Sequence, residues 1–429
     1  MTPESLLAGC VQLYCGDNRD ALAQLADNSI DSIVTDPPYA LVSIVKRFGK
    51  AGAAPAKGNA AYARASIGFM GQAWDTGEVA FSADFWRECF RVLKPGGHVL
   101  AFSGTRTYHR LAVAIEDAGF EIRDMLSWLY GSGFPKNHDV ALDFEITLCE
   151  RRDGEWYYVS DGAKLERGAW RHPMAVLWDG WGTAVKPGCE PVCMGRKPLA
   201  GRSVIDNLAR WLTGAINIDA CRVAVADGDQ KSEGGATTGR AAESDYFDRL
   251  KVGDNRDGKG RFPANVIHDG SADVTALFPD SNSSGGKHPG HDGALRMGCT
   301  GGGGANAGGL GDSGSAARFF YTAKADAEDR AGSKHPTVKP VDLMQWLVRL
   351  VTPKGGTVLD PFGGTGTTAE AAFREGMRCI LMEREPQYQD DIRRRMRLAL
   401  AGPDERKRES IKAKVEEKPF EPGSLFANL

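Results

Sequence analysis

Charge of one sign, paired cysteines and long apolar runs are all scarce in this 429-residue chain. With 53 Lys and Arg against 56 Asp and Glu, the formal net charge is only −3. No global basic field announces a nucleic-acid partner, so any such surface must be local. The nine cysteines are an odd number, scattered and without a C-x-x-C. Cys189 and Cys193 have no second ligand pair at zinc spacing, and the eight histidines have no partners at ligand spacing. That pattern reads as reduced thiols of a cytosolic protein with no metal site. No apolar run approaches the length of a membrane span. Leu7-Ala8-Gly9-Cys10 imitates a lipoprotein cleavage site, but the residues before it hold no Lys or Arg and are too few for an apolar signal core. The expectation is a cytoplasmic chain with no membrane partner.

A hydrophobic content of 42% suffices for one large domain with insertions, or for two or three small ones. The chain is organised around Thr35-Asp36-Pro37-Pro38-Tyr39. The apolar run Ile30 to Val34, broken only by Asp31 and Ser32, is short and bounded by a turn signal, so it reads as a buried strand. Pro37 and Pro38 stop it, stiffen the backbone and leave carbonyls free. The strand end then carries a carboxylate, a free carbonyl and an aromatic ring. A flat heteroaromatic ring with an exocyclic amine suits that equipment, the amine donating to Asp36 and a carbonyl while Tyr39 stacks. A proline turn capped by Asp36 with a packed tyrosine is the bland reading, at even odds for the pentapeptide alone.

Around this stretch strands and helices alternate. Strands are expected at Val11 to Cys15, His98 to Ser103 and Phe120 to Tyr130, and helices near Ala21 to Leu25, over Phe85 to Leu93 and over Tyr108 to Ala118. The Lys94-Pro95-Gly96-Gly97 tetrapeptide reads as a strong stop between elements. Such alternation argues for a parallel sheet covered on both faces. Ala40 to about Gly71 reads as a locally basic lid or a surface insertion. The rhythm breaks from Gly131 onward, with a weak strand at Pro191 to Arg196. Short segments without helix periodicity fill Pro198 to Ala331, and Ser281 to Gly314 is Gly-rich low complexity. Alternation resumes with a helix over Val341 to Val351 and strands at Thr357 to Leu359 and Cys379 to Met382. This divides the chain into 1–197, 198–330, 331–402 and a charged tail, 403–429.

The Thr357 strand runs into Asp360-Pro361-Phe362-Gly363-Gly364-Thr365-Gly366-Thr367-Thr368. Gly364, Gly366 and Ala369 fit the dinucleotide pattern, and Glu383 ends the next strand where it could take ribose hydroxyls. A nicotinamide-dependent enzyme is the natural competitor. Position weighs against it: only one strand and one helix follow before the tail, so the remaining strands must come from the N-terminal part. The sheet is then circularly permuted, with the Asp36 strand beside the glycine-loop strand and both carboxyl ends at the switch point. A phosphate-binding P-loop is excluded because no Lys follows the last glycine.

With these motifs in this order, the chain resembles the β-class amino-group DNA methyltransferases. The resemblance implies an α/β fold, a circularly permuted Rossmann-like methyltransferase sheet with an inserted target-recognition region at 198–330. It implies S-adenosyl-L-methionine as cofactor and double-stranded DNA as partner. By the same resemblance Asp36, Pro37, Pro38 and Tyr39 are catalytic. Asp17 contacts the cofactor adenine. Thr337 and Lys339, in His335-Pro336-Thr337-Val338-Lys339-Pro340, line the methionine side. Asp360, Pro361, Phe362, Gly364, Gly366 and Thr367 form the loop, Phe362 packs on the cofactor, and Glu383 holds the ribose. Gly363 departs from a frequent alanine, with no expected consequence. The Trp- and Gly-rich middle resembles prophage members, a homodimer is a family expectation, and nothing identifies a restriction partner.

The implied reaction takes a flipped-out base and transfers the methyl group directly to its exocyclic amine, adenine N6 in the Asp-Pro-Pro-Tyr form. Cytosine N4 is the nearest alternative, followed by RNA adenine and by a catalytically silent binding module. Carbon-5 methylation of cytosine needs a cysteine after a proline, and none is present. Trp128, Tyr130 and Phe134 are more often core than pocket wall, and Arg393, Arg394, Arg395 and Arg397 read as a solvated helix face.

Overall fold

The computed structural model describes residues 1–39, 79–133, 137–224, 260–282, 313–323, 328–333, 335, 337–402 and 405–408. The expected lid over Ala40 to Gly71 and nearly all of the Gly-rich stretch lie outside the described residues. Two compact units are present, one made of Met1–Leu129 with Glu190–Leu429 and the other of Tyr130–Cys189.

The strands, in chain order, are β1 (Glu4–Leu6), β2 (Val11–Cys15), β3 (Ile30–Thr35), β4 (Leu93–Phe102), β5 (Glu121–Leu129), β6 (Cys149–Arg152) and β7 (Glu155–Tyr158). They continue with β8 (Cys189–Arg196), β9 (Val266–His268), β10 (Asp280–Asn282), β11 (Ser313–Ser315), β12 (Tyr321–Thr322), β13 (Thr357–Asp360) and β14 (Arg378–Glu383). Ten of them form one sheet in the order β1-β2-β14-β13-β3-β4-β8-β5-β9-β12. From β2 to β4 all neighbours are parallel. The two C-terminal strands thus sit between N-terminal ones, and the permutation expected from the motif order is present. Val358 and Leu359 of β13 register with Ser32 and Ile33 of β3, which sets the two motif-bearing strand ends side by side.

All six residues of β3 are buried, including the polar Asp31, Ser32 and Thr35. Side chains of a strand alternate between faces, and each face here is occupied. Ile33 joins a cluster with Leu22, Trp86, Val92, Leu111 and Ile115 from helices Asn18–Leu22, Ala83–Val92 and Tyr108–Asp117. Ser32, on the alternate side, meets Thr352 Oγ1 at 2.7 Å, just past the end of helix Val341–Val351. Eight residues of that helix are buried, so it is core rather than surface. Asp31 is tolerated inside because Lys94 Nζ and the Thr357 N–H both donate to it, at 2.5 and 2.8 Å.

Several expectations need correcting. The strong stop at Lys94 to Gly97 is instead the opening of β4, with a register irregularity against β3 between Ile30 and Ser32. The strand expected at Pro191 to Arg196 does return to the main sheet, as most of β8, which runs antiparallel to β4. Within 198–330 there is a helix, Val204–Trp211, capped by Ser203. Strands β9 and β12 from the same span extend the main sheet. Tyr130–Cys189 forms a compact unit of its own, with a hairpin of β6 and β7. At its centre the fully buried Glu145 accepts from Tyr158 Oη and from the N–H groups of Arg171 and His172.

Arginines 393 to 395 are not a solvated face. Arg395 is 1% exposed. It donates to Glu370 at 2.9 Å and to the Thr365 carbonyl at 2.7 Å, directly behind the glycine loop. Arg393 pairs with Glu4 and Asp390, and Arg394 with Asp391 and the Ala331 carbonyl.

Candidate active site at the carboxyl rim of the sheet

Four parallel strands end on one rim, and each delivers part of the site. β2 leads into Gly16-Asp17, β3 into Asp36 to Tyr39, β13 into the glycine loop and β14 into Glu383. The neighbouring ends are tied: the Gly16 N–H donates to the Glu383 carbonyl at 2.9 Å, and Asn18 Nδ2 to the Pro361 carbonyl at 3.0 Å. Parallel register gives the reason these sequence-distant motifs meet, since strands that start together also end together.

At the β3 end, Lys339 Nζ lies 2.6 Å from Asp36 Oδ2, 3.1 Å from Glu190 Oε2 and 3.2 Å from Tyr39 Oη. Tyr39 Oη donates to Glu190 Oε2 at 2.9 Å. The ammonium also sits over the Tyr39 and Phe102 rings, at 5.4 and 4.9 Å from their centroids. Burial works against the charge on Lys339, but Asp36 and Glu190 outweigh it and hold the ammonium well above its ordinary pKa. Burial, reinforced by the same two carboxylates, pushes the Tyr39 phenol well up. Two carboxylates therefore face one ammonium, which among the described residues leaves one negative charge uncompensated. Asp36 Oδ1 is buried and has no hydrogen-bond partner among the described residues. A buried unpaired carboxylate oxygen is costly, and such atoms call for an explanation.

Glu190 is a residue that the sequence reading missed. It stands where β8 enters the sheet. Because β8 runs antiparallel to β4, its first residues arrive at the rim where the parallel strands finish. Nothing in Cys189-Glu190-Pro191 marks this in one dimension. Lys339, expected on the methionine side, has its ammonium on Asp36.

At the β13 end, burial pushes the Asp360 carboxyl up to about 7, against three hydrogen bonds that favour its charge. Thr35 and Thr368 donate to its two oxygens at 2.6 Å each, and the Phe362 N–H donates at 3.1 Å. Both oxygens thus accept bonds from within the protein, and Asp360 braces the loop. The Phe362 ring lies 5.2 Å from that of Phe85. Gly366 precedes helix Thr367–Arg374 at φ +79, a left-handed conformation that glycine adopts without strain. A Cβ there would also stand 3.1 Å from Ile392.

The glycine loop differs from a phosphate cradle. The Gly363 N–H donates to the Met382 carbonyl at 2.8 Å, that of Gly364 to Glu383 Oε2 at 2.7 Å, and that of Gly366 to the Gly363 carbonyl at 2.8 Å. A pyrophosphate placed on this loop would meet the Glu383 carboxylate, which already holds the Gly364 donor. Burial pushes the Glu383 carboxyl up to about 7 although the Glu385 and Gly364 N–H groups favour its charge. Each of its oxygens accepts one of those bonds and keeps a further lone pair for a hydroxyl donor. The Asp17 carboxylate caps helix Asn18–Leu22 and is engaged by Arg19 through Nε and Nη2, which hold it below the usual range. Thr337 is exposed and Thr367 buried. Among the described residues, no cluster of His, Cys, Asp or Glu is arranged to hold a metal, and no helix is long and apolar enough to cross a membrane.

A permuted, largely parallel sheet with an acidic-aromatic strand end beside a glycine loop defines a Rossmann-like methyltransferase fold. The chain belongs to the N6_N4_Mtase family, described as DNA methylase, whose match covers residues 30–394. It is similar to the type II methyltransferase M.HindIII of Haemophilus influenzae, 27% identical over 48% of this chain and 64% of that one. M.HpaI of Haemophilus parainfluenzae is 29% identical over 31% of this chain and 38% of that one. M.BglI of Bacillus subtilis is 48% identical over 14% and 17%. The matched segments thus span less than two thirds of these relatives. Among solved structures, the PvuII DNA methyltransferase (cytosine-N4-specific) is 13% identical at a TM-score of 0.42, with 96% of this chain and 93% of that one covered.

Proposed function

We propose that this protein is a site-specific DNA methyltransferase that moves a methyl group from S-adenosyl-L-methionine to the N6 amine of a flipped adenine. The observation that carries the reading is Asp36 Oδ1, a buried acceptor without a donor at the rim shared with the glycine loop. An exocyclic amine supplies the missing donor. Tyr39 offers a stacking face beside it, worth ~1–3 kcal/mol per base on aromatic platforms, which offsets part of the cost of extrusion. Asp36 and the Pro37 carbonyl accept from the amine and aim its lone pair, so the gain comes from positioning and electrostatics. S-adenosyl-L-methionine, when bound, supplies the electrophilic methyl group. The chain's residues fit that cofactor: Glu383 keeps lone pairs for ribose hydroxyls, Phe362 offers an apolar wall, and the uncompensated negative charge near Asp36 favours a cation.

Adenine rather than cytosine is supported by the Asp-Pro-Pro-Tyr form of the strand end. Residues 198–330 are proposed to choose the DNA sequence, because none of the chemical motifs falls in them. Digesting treated DNA to nucleosides and weighing the products tests the reading. N6-methyl-2′-deoxyadenosine is expected, N4-methyl-2′-deoxycytidine would move it to the sister reaction, and no methylated nucleoside would end it.

A further inference from the structure

The proposed function leaves Glu190 and the position of Lys339 without a task. The geometry points to one: Asp36 Oδ1 and Lys339 Nζ form an acceptor–donor pair that reads the edge of the target ring, and Glu190 holds Lys339 in place for it. This inference rests on the methyl-transfer reading and adds the part of the base that is recognised. The two groups are anchored side by side, since Nζ is 2.6 Å from the other oxygen of the same carboxylate. A ring that offers an amine next to an unprotonated ring nitrogen is complementary to such a pair, the amine donating to Asp36 and the nitrogen accepting from Lys339. Adenine and cytosine both present that edge. Guanine and thymine present a carbonyl next to an N–H, which would set an acceptor against Asp36 and a donor against a group that cannot accept.

Lysine has three N–H donors. In the ligand-free chain they meet Asp36 Oδ2, Glu190 Oε2 and Tyr39 Oη, and the last contact, at 3.2 Å, is the longest. The Tyr39 hydroxyl is itself committed to Glu190 as a donor, at 2.9 Å. The contact to Tyr39 is therefore the one that a ring nitrogen replaces as a base stacks on that ring. Glu190 remains on Nζ and keeps it from following the base. Side-chain exposures of 7%, 22% and 17% for Lys339, Asp36 and Glu190 place the triad in a poorly solvated setting, where a mismatched donor or acceptor is costly to leave unpaired. A purely structural ion pair would need neither the stacked tyrosine nor the open oxygen.

The test compares duplexes that carry adenine or 1-deazaadenine at the methylated position, after that position has been found by sequencing modified DNA. The analogue keeps the amine and replaces the ring nitrogen by C–H. Wild-type kcat/KM should fall at least tenfold with the analogue. The paired change Lys339→Met with Glu190→Gln removes one positive and one negative group, so the net charge of the pocket is kept. It should lower kcat/KM on adenine and erase most of the further loss on the analogue. Equal rates of the wild type on both duplexes would overturn the inference, as would a folded double variant that still discriminates tenfold. If the double variant does not fold, Glu190→Gln alone takes its place and must narrow the discrimination; an unchanged ratio would overturn the inference. Absence of methylation on the unmodified duplex is a separate result, and it would fail the parent reading instead.

Discussion

Replacing Asp36 by alanine separates chemistry from folding, because the charges around it do not depend on it alone. Breaking a buried ion pair costs ~3–5 kcal/mol when the surviving charge is left uncompensated. Here the surviving charge is Lys339, and Glu190 stays on it at 3.1 Å. The pocket loses its excess negative charge and becomes a balanced pair. The cost to folding should therefore be about 1 kcal/mol, in the range of ordinary substitutions. Methyl transfer should suffer far more. Loss of one preorganised group in an electrostatic site costs ~2.7–4 kcal/mol, or roughly 100- to 1,000-fold in turnover. The assay is transfer of a labelled methyl group into DNA, with cofactor titration by calorimetry and thermal denaturation on the same preparation. Turnover above a tenth of wild type, ~1.4 kcal/mol of barrier, would remove Asp36 from the reaction. A stability loss of ~3 kcal/mol or more would show that Glu190 does not sustain Lys339.

Glu383→Gln should weaken S-adenosyl-L-methionine binding by about tenfold or more, since charge-assisted bonds contribute ~1.5–3 kcal/mol each; unchanged affinity by calorimetry would remove Glu383 as the ribose acid. With burial raising the Asp360 and Glu383 carboxyls to about 7, the folded chain holds more protons than the unfolded one between the ordinary carboxylate range and that value. Stability of the ligand-free protein should accordingly fall as pH rises from about 4.5 to 7 through these two groups, and Glu383→Gln should flatten that slope in denaturant titrations. Gly366→Ala, at φ +79 and 3.1 Å from Ile392, should cost ~1–2 kcal/mol in stability, measured by denaturation. Gly363→Ala has no positive φ to strain and meets the Met382 carbonyl at 3.2 Å and Ile392 and Leu381 at 3.5 Å, so it should cost less than that. Arg395→Met should destabilise by ~1–3 kcal/mol in urea titrations, because the buried Thr365 carbonyl loses its donor while Glu370 keeps Arg374 and Arg406.

Local chemistry determined the parts of this protein that the sequence could declare on its own. The two prolines after Thr35 end β3 where they stand. The glycines after Asp360 demand a tight turn into a helix, and the apolar spacing of Val341 to Val351 makes a buried helix whatever surrounds it. Motif order also settled the permutation, since too few strands follow the glycine loop to complete a sheet. What the one-dimensional pattern could not carry are the contacts that only sheet order creates. Glu190 reaches the site because an antiparallel strand enters at the rim where parallel strands leave. Arg395 sits on a helix whose charged sequence looks solvated, yet Glu370 compensates it 25 positions away and makes its burial tolerable. Lys339 is drawn to Asp36, 303 residues earlier, by a charge that no local window contains. Turns and helices are decided by neighbours along the chain; partners for buried charge are decided by neighbours across the sheet.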